Sequence, residues 1–412
     1  MRGRWRPLAW LAGLTVLAGL TVPALAQETA RTPDLYQDAL QSIAEGRKSD
    51  ASKTLMRVIE DEPNNAGAYL EVALIQCGLG RAREAERLFA IIETRFEPKR
   101  EILELISDAR DTGCDRWQAI SAWSVTAGRG IDQNVNQGAT NPNYIVRNNG
   151  DVIELPLLSD FLPKHDQYAM LGAEVMREVT PNGSVGFLQF QGRRNDSLSR
   201  YDSASLYAGV ESPYRFGRWT MRTTAMLGQV WLGGRAYQRQ LQVQARIGPP
   251  LALPGSLQFN LMGGVTRTEY LELANFDATT YELRGQLSYR RANLQSSFAL
   301  GALSDMSSDR RPGGRRQGMS VNLLLRHPLG PHLGGELAYS RQSWDSSLPY
   351  LPGLIGEVRD QRTDVLRGTL IYPLGKNPRL HLEGRIVRNR ENISIFQYNN
   401  KLLQLSWQWQ GP

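Results

Sequence analysis

Histidine, cysteine and clustered acids are where chemistry is sought first, and in this chain they do not assemble. The four histidines, His165, His327, His332 and His381, are scattered over 412 residues. None makes the His-x-x-x-His spacing that would set two imidazoles on one helical face for zinc. Cys77 and Cys114 are the only cysteines and give no metal-ligand spacing. No Gly-x-Ser-x-Gly elbow is present for a nucleophilic serine. Gly78-Leu79-Gly80 runs into Arg81 and lacks the preceding strand and the lysine of a phosphate loop. His381 is the only histidine well inside a predicted strand, and no partner stands out for it. The sequence therefore predicts no catalytic residue, no cofactor, no metal site and no enzyme.

What the chain does space regularly is polarity. In Arg235 to Ile247 the residues Tyr237, Leu241, Val243, Ala245 and Ile247 share one parity, broken only by Arg239. Gln238, Gln240, Gln242, Gln244 and Arg246 hold the other. A period of two is the mark of a strand with two unlike faces. It recurs about a dozen times from residue 120 onward, as in Leu380, Leu382, Gly384 and Ile386 against Arg379, His381, Glu383 and Arg385. Apolar outside against lipid and polar inside is how a membrane β-barrel is written. By parity the lumen then carries charges of both signs. They include Arg222, Arg246, Glu282, Arg284, Glu336, Arg367, Glu383 and Arg385, with Glu174, Arg290 and Arg326. Mixed signs favour a cross-strand lattice over a one-sign selectivity ladder.

Composition agrees. After the N-terminus no run of about 18 apolar residues exists, which excludes a helical membrane protein. Residues 1–26 read as a secretory leader: Arg2, Arg4 and Arg6, an apolar run from Leu8 to Val22, then Ala24-Leu25-Ala26 for cleavage. Losing those three arginines takes the net charge from +7 to +4, too little to argue for nucleic acid. In an oxidising periplasm Cys77 and Cys114 either pair or stay as two small buried residues.

Strands are predicted at about 120–134, 167–179, 184–194, 203–214, 218–230, 236–247, 256–269, 279–290, 293–304, 317–328, 332–343, 362–373, 379–390 and 399–409. Short turns marked by Pro or Gly alternate with longer polar loops, the largest at 135–166, 305–316 and 344–361. In such barrels short turns face the periplasm and long loops face outward. Tyr214, Phe216, Trp219, Tyr289, Tyr372 and Trp409 lie near the short-turn ends, where an aromatic girdle is expected. The loop at 135–166 holds Ile153, Leu155, Leu157, Leu158, Phe161 and Leu162 and is expected to fold inward as a plug, the alternative being that it lies over the mouth as a substrate contact. The first strand fills one parity with Ser124, Thr126, Gly128 and Gly130. Gly128 and Gly130, with Trp407 and Trp409 of the last strand, mark a candidate seam where the barrel closes.

From Pro33 to about Gly113 the pattern is helical and repeats. Gly46, Ala51, Leu55, Val58 and Pro63 are answered 34 residues later by Gly80, Ala85, Phe89, Ile92 and Glu97, with Pro98 next. This resembles the tetratricopeptide repeat, capped by the helix from Pro98 to Asp111. The resemblance implies a concave groove that binds a peptide or protein, with Tyr69, Val72 and Gln76 as its candidate lining. The alternative is that the repeats brace the barrel.

Gly128-Arg129-Gly130-Ile131-Asp132-Gln133-Asn134-Val135 resembles the Gly-x-x-x-Asp-x-Asn-Val opening strand of the surface lipoprotein assembly modifiers. The order of parts is similar too: 1–26 leader, 27–116 periplasmic tetratricopeptide-like all-α domain, 117–412 antiparallel outer-membrane β-barrel of about 14 strands. The resemblance implies a translocon in the cell outer membrane that delivers a lipoprotein or small secreted protein to the cell surface. The final strand also resembles the C-terminal signal read by the barrel assembly machinery, although Gln410, Gly411 and Pro412 follow the last aromatic. Outer-membrane lipid, a protein client and that machinery are the expected partners, with no nucleic acid. The alternative is a porin-like diffusion channel for small solutes with a periplasmic docking module.

Overall fold

The computed structural model describes residues 35–148, 151–307 and 310–411. The leader expected at 1–26 lies outside them. Among the described residues five α-helices come first: α1 (Leu35–Ala44), α2 (Lys48–Asp61), α3 (Ala66–Gly78), α4 (Ala82–Arg95) and α5 (Arg100–Thr112). The 34-residue period is visible in space. Gly46 and Gly80 both turn between paired helices with φ of 78° and 77°, a left-handed conformation in which a side chain would be strained. Ala51 and Ala85 are both fully buried, so the helices of each pair can approach closely. Leu55 and Phe89, and Val58 and Ile92, fill equivalent core positions, and Ile106 of α5 closes the stack. Cys77 and Cys114 form a disulfide that ties α3 to the chain beyond α5.

The strands follow as β1 (Ser121–Asp132), β2 (Asn143–Asn148), β3 (Asp151–Pro156), β4 (Asp166–Glu178), β5 (Val185–Asn195), β6 (Ser203–Phe216), β7 (Trp219–Leu232) and β8 (Arg235–Gly248). Next come β9 (Leu257–Tyr270), β10 (Ala278–Arg291), β11 (Leu294–Ser307), β12 (Arg316–Gly330), β13 (Leu333–Leu351), β14 (Ile355–Pro373), β15 (Pro378–Glu391) and β16 (Tyr398–Gly411). β2 and β3 make a separate hairpin. The other 14 strands close into an antiparallel barrel in sequence order, with β1 bonded to both β4 and β16. Closure leaves no free strand edge, which a bilayer requires.

Parity sorts the side chains as the sequence predicts. Leu227, Leu241, Val243, Leu283 and Leu403 stand exposed on the outer face, while Gln242, Gln244, Arg222 and Glu211 line an internal cavity. Exposed leucine on this scale is costly in water and favourable in lipid.

Three loop expectations are corrected. The segment 344–361 is mostly strand, because β13 and β14 continue outward and leave only 352–354 as the tip. Both faces are wet beyond the membrane, so alternation fades from the sequence although the ladder goes on. The β7–β8 connection is a two-residue turn, Gly233-Gly234, rather than a long loop. The first loop is a rim hairpin and not a plug lined by apolar residues. Ile153, Leu155, Leu158 and Phe161 are exposed. The loop is bonded to the rim segment Ser394–Gln397, through Ile145 N to Ser394 Oγ and Thr140 N to Gln397 O. β2 and β3 pair their backbones with each other, so the segment needs no lumen wall to satisfy them.

Candidate functional site

The lumen wall is built from the polar parity of the barrel strands. Arg222 of β7 meets Glu211 of β6 at 2.5 Å. Glu282 and Arg284 pair along β10. Glu336 of β13 takes Arg326 of β12 at 2.6 Å and Arg367 of β14 at 2.8 Å. Glu174 accepts from Gln189 at 2.8 Å. All but the Glu282–Arg284 pair join neighbouring strands, as in the cross-strand lattice that mixed signs favour. Arg246, Glu383 and Arg385 take no part in an ion pair within 4.0 Å among the described residues. Arg246 lies directly across from Arg222, and Arg385 across from Arg367. His381 faces the same space, and its Nε2 has no hydrogen-bond partner among the described residues.

Sequence reading missed two sets of groups. Glu211, the partner of Arg222, shares the lumen parity of Tyr207 and Gly209, and that parity would have found it. At the end of the barrel away from the helices, carboxylates and arginines knit the rim. Asp305 holds Arg311 at 2.8 Å and Arg316 at 2.6 Å, Glu391 holds Arg359 at 2.6 Å, and Asp132 holds Arg193 at 2.8 Å. Their partners come from other strands or loops, which no local pattern announces.

The helical unit sits at the opposite mouth. Lys48 reaches Glu178 at 3.0 Å, and the same carboxylate oxygen accepts the Ile120 N–H at 3.1 Å. Asp38 of α1 pairs with Arg215 at the β6–β7 turn. Gly46 and Gly183 meet so closely that a Cβ on Gly183 would lie 2.5 Å from the Gly46 carbonyl oxygen. A cleft of about 910 Å³ separates α1 from the turn 249–256. It shares Thr220, Gly248 and Gln258 with a cavity of about 370 Å³ that Glu45, Arg222 and Arg246 also line. The cleft beside α1 and the cavity inside the barrel mouth therefore share a wall.

Tyr69, Val72 and Gln76 are not on an open groove. All three are buried among the helices, with Tyr69 packed at a tilt against Phe96 at 5.3 Å between ring centroids and Gln76 donating to Ser52 Oγ at 2.9 Å. The positions that best fit the repeat pattern are those that pack helix on helix, so they fill the core instead of facing a ligand.

The candidate seam is paired along most of β1. β1 and β16 register over ten positions, from Trp123 opposite Gly411 to Asp132 opposite Leu402. Gly128 faces Ser406 and Gly130 faces Gln404, on the lumen side. Trp407 and Trp409 lie opposite Ala127 and Val125 on the outer face. The glycines therefore do not make room for the tryptophans. Gly130 makes room for Tyr168 of β4, and its Cβ would fall 2.4 Å from that ring. Asp132 and Asn134 have structural partners. Asp132 accepts the Asn134 N–H at 3.0 Å, and the Asn134 amide donates to Gly138 O and Asn399 O, both at 2.9 Å. They end β1 and bind the following loop to β16.

Among the described residues no group of three or more His, Cys, Asp and Glu is placed to hold a metal ion. The arrangement is a barrel with charged and polar groups on its inner wall and a helical unit docked at one mouth.

Among solved structures the chain is similar to an anion-selective porin from Comamonas acidovorans, at 11% identity and a TM-score of 0.39, covering 71% of this chain and 99% of that one. It is similar to OccAB2 from Acinetobacter baumannii at 12% identity and a TM-score of 0.38, covering 72% and 98%. The outer membrane protein opdK from Pseudomonas aeruginosa follows at 10% identity and a TM-score of 0.35, covering 71% and 98%. No family model matches the chain, and no curated protein matches it in sequence.

Proposed function

We propose that this protein is an outer-membrane barrel that passes a lipoprotein or small secreted protein from the periplasm to the cell surface. The helical unit is then a periplasmic, tetratricopeptide-like dock for the client. One observation carries the reading: the helices are clamped at the mouth where the lumen opens, by Lys48–Glu178 and Asp38–Arg215. A brace alone needs no cleft of about 910 Å³ beside that mouth. The apolar outer face supports a bilayer, and the Cys77–Cys114 disulfide supports an oxidising compartment. The order of parts and the opening-strand motif keep the resemblance to the surface lipoprotein assembly modifiers.

The test compares the surface-shaved protein set of cells with and without the protein. A lipoprotein or secreted protein should leave the surface in the deletion strain and return with the full chain. It should not return with Lys48→Glu/Arg215→Glu, which undocks the helices. An unchanged surface set would remove the translocon reading. Lumen cavities of about 340 and 360 Å³, both bordered by Glu174 and Gln189, favour a second reading, a diffusion channel for small solutes. That reading requires steady conductance in planar bilayers and sugar entry in vesicle swelling.

A further inference from the structure

The outer face of the barrel should be apolar across the bilayer, and on β13 to β16 it stops abruptly. Tyr339, Leu366, Ile386 and Leu403 end the apolar belt there. The next outward positions are Arg341 on β13, Arg362 and Asp364 on β14, Arg388 and Arg390 on β15 and Lys401 on β16. Register makes these neighbours: Arg341 is opposite Asp364, Asp364 opposite Arg388, Arg362 opposite Arg390 and Ile386 opposite Lys401. Directly opposed like charges destabilise a sheet unless something neutralises them.

Among the described residues, ion pairs neutralise only part of the row. Asp364 is already taken by Arg341 and by the Tyr339 hydroxyl, each at 2.7 Å. Asp345 and Asp360, which face the same side, lie opposite each other farther from the belt. Arg362, Arg388, Arg390 and Lys401 have no ion-pair partner within 4.0 Å among the described residues. Two other outward arginines near this end differ. Arg129 holds Asp196 at 2.6 Å, and Arg267 lies within 3.9 Å of Asp277.

Depth matters as much as charge. Arg362 and Arg390 lie ten residues along their strands from the Tyr372–Leu380 pair at the helix-side end. Ten residues at about 3.3 Å, tilted about 40°, rise about 25 Å, the height of a barrel's apolar band. The arginines therefore stand where acyl chains end and headgroups begin. Guanidinium groups bind phosphate by paired, charge-assisted hydrogen bonds.

We propose that this row binds the phosphates of an anionic glycolipid of the outer leaflet, whose acyl chains lie along Leu366, Ile386 and Leu403. The assignment rests on the barrel spanning the outer membrane with this end outward, and it is independent of any client.

The test uses the purified full chain in detergent and measures retention of a bisphosphorylated, acylated glucosamine disaccharide by native mass spectrometry. Arg362→Gln/Arg388→Gln/Arg390→Gln should weaken retention at least about tenfold. Removing the lipid's phosphates should weaken the wild type alike, and Arg267→Gln on the other side of the barrel should change nothing. If the triple Gln variant loses its heat-modifiable folded band, the matching triple Lys variant replaces it. That variant should bind phosphorylated lipid in preference to dephosphorylated lipid. Equal retention by the Gln variant, no preference for phosphorylated lipid, or displacement by inorganic phosphate alone would each overturn the proposal.

Discussion

Tyr168 lies across Gly130, and its hydroxyl meets Gln404 Oε1 at 2.9 Å, so one β4 side chain spans β1 and reaches β16. The barrel's closing pair is thereby held by a third strand as well as by its own ladder. A side chain at 130 must displace the ring. Gly130→Val should lower the urea midpoint of the folded, heat-modifiable band, while Tyr168→Phe removes one hydrogen bond, worth about 1 kcal/mol. A Val variant as stable as the wild type would show that the ring does not need that space.

The two faces of β8 are predicted to tolerate charge differently. Val243 is 53% exposed on the outer face, and Gln242 points inward and donates to Gln244 at 3.2 Å. Val243→Arg should cost roughly 2–4 kcal/mol if it lies near the bilayer midplane, and Gln242→Arg far less. Refolding into vesicles across a denaturant series measures both. Equal losses would mean that the faces are misassigned.

Orientation has its own check. Leu354, 71% exposed at the tip between β13 and β14, is replaced by Cys in one variant, and Lys376 in the β14–β15 turn in another. A membrane-impermeant maleimide should label position 354 on intact cells. It should reach position 376 only after the outer membrane is permeabilised. The reverse pattern would invert the barrel and with it the place of the helices.

If the client leaves sideways between β1 and β16, locking that pair should stop it. Thr126 and Gln408 are register partners on the lumen side, and neither is a glycine or a ring that packing requires. Thr126→Cys/Gln408→Cys, once oxidised, should abolish surface display and recover it on reduction. Full display by the oxidised protein would confine passage to the lumen.

Acid should loosen the last helical layer. Arg110 of α5 holds Glu86 at 2.6 Å and Glu93 at 2.7 Å on α4. The hydrogen bond from Arg110 keeps the Glu86 carboxyl below its ordinary value, against a smaller opposing effect of burial. The folded value lies below the unfolded one. The stabilisation is therefore present above the unfolded carboxylate range, about pH 4.3, and is lost as pH falls through the folded value. Glu86 is 57% exposed, so solvent screening limits the effect to a few tenths of a kcal/mol. Melting followed by helical circular dichroism should show a larger loss from pH 6 to pH 3 in the wild type than in Arg110→Met.

Local pattern determined much of this protein. The count of 14 barrel strands follows from period-two polarity, because one face of each strand meets lipid along its whole crossing. The paired helices follow from the 34-residue period, since Ala51 and Ala85, like Gly46 and Gly80, answer the same packing need. Only the tertiary structure decided which residues meet. Parity shows that Glu336 faces inward, but register decides that it binds Arg326 and Arg367 while Arg246 is left opposite Arg222. The same holds for Tyr69, Val72 and Gln76, which the repeat pattern offered for a groove and helix packing buried. A strand's periodicity is set by its own neighbours in sequence. Its partners are set by closure and stagger, which depend on all the strands at once.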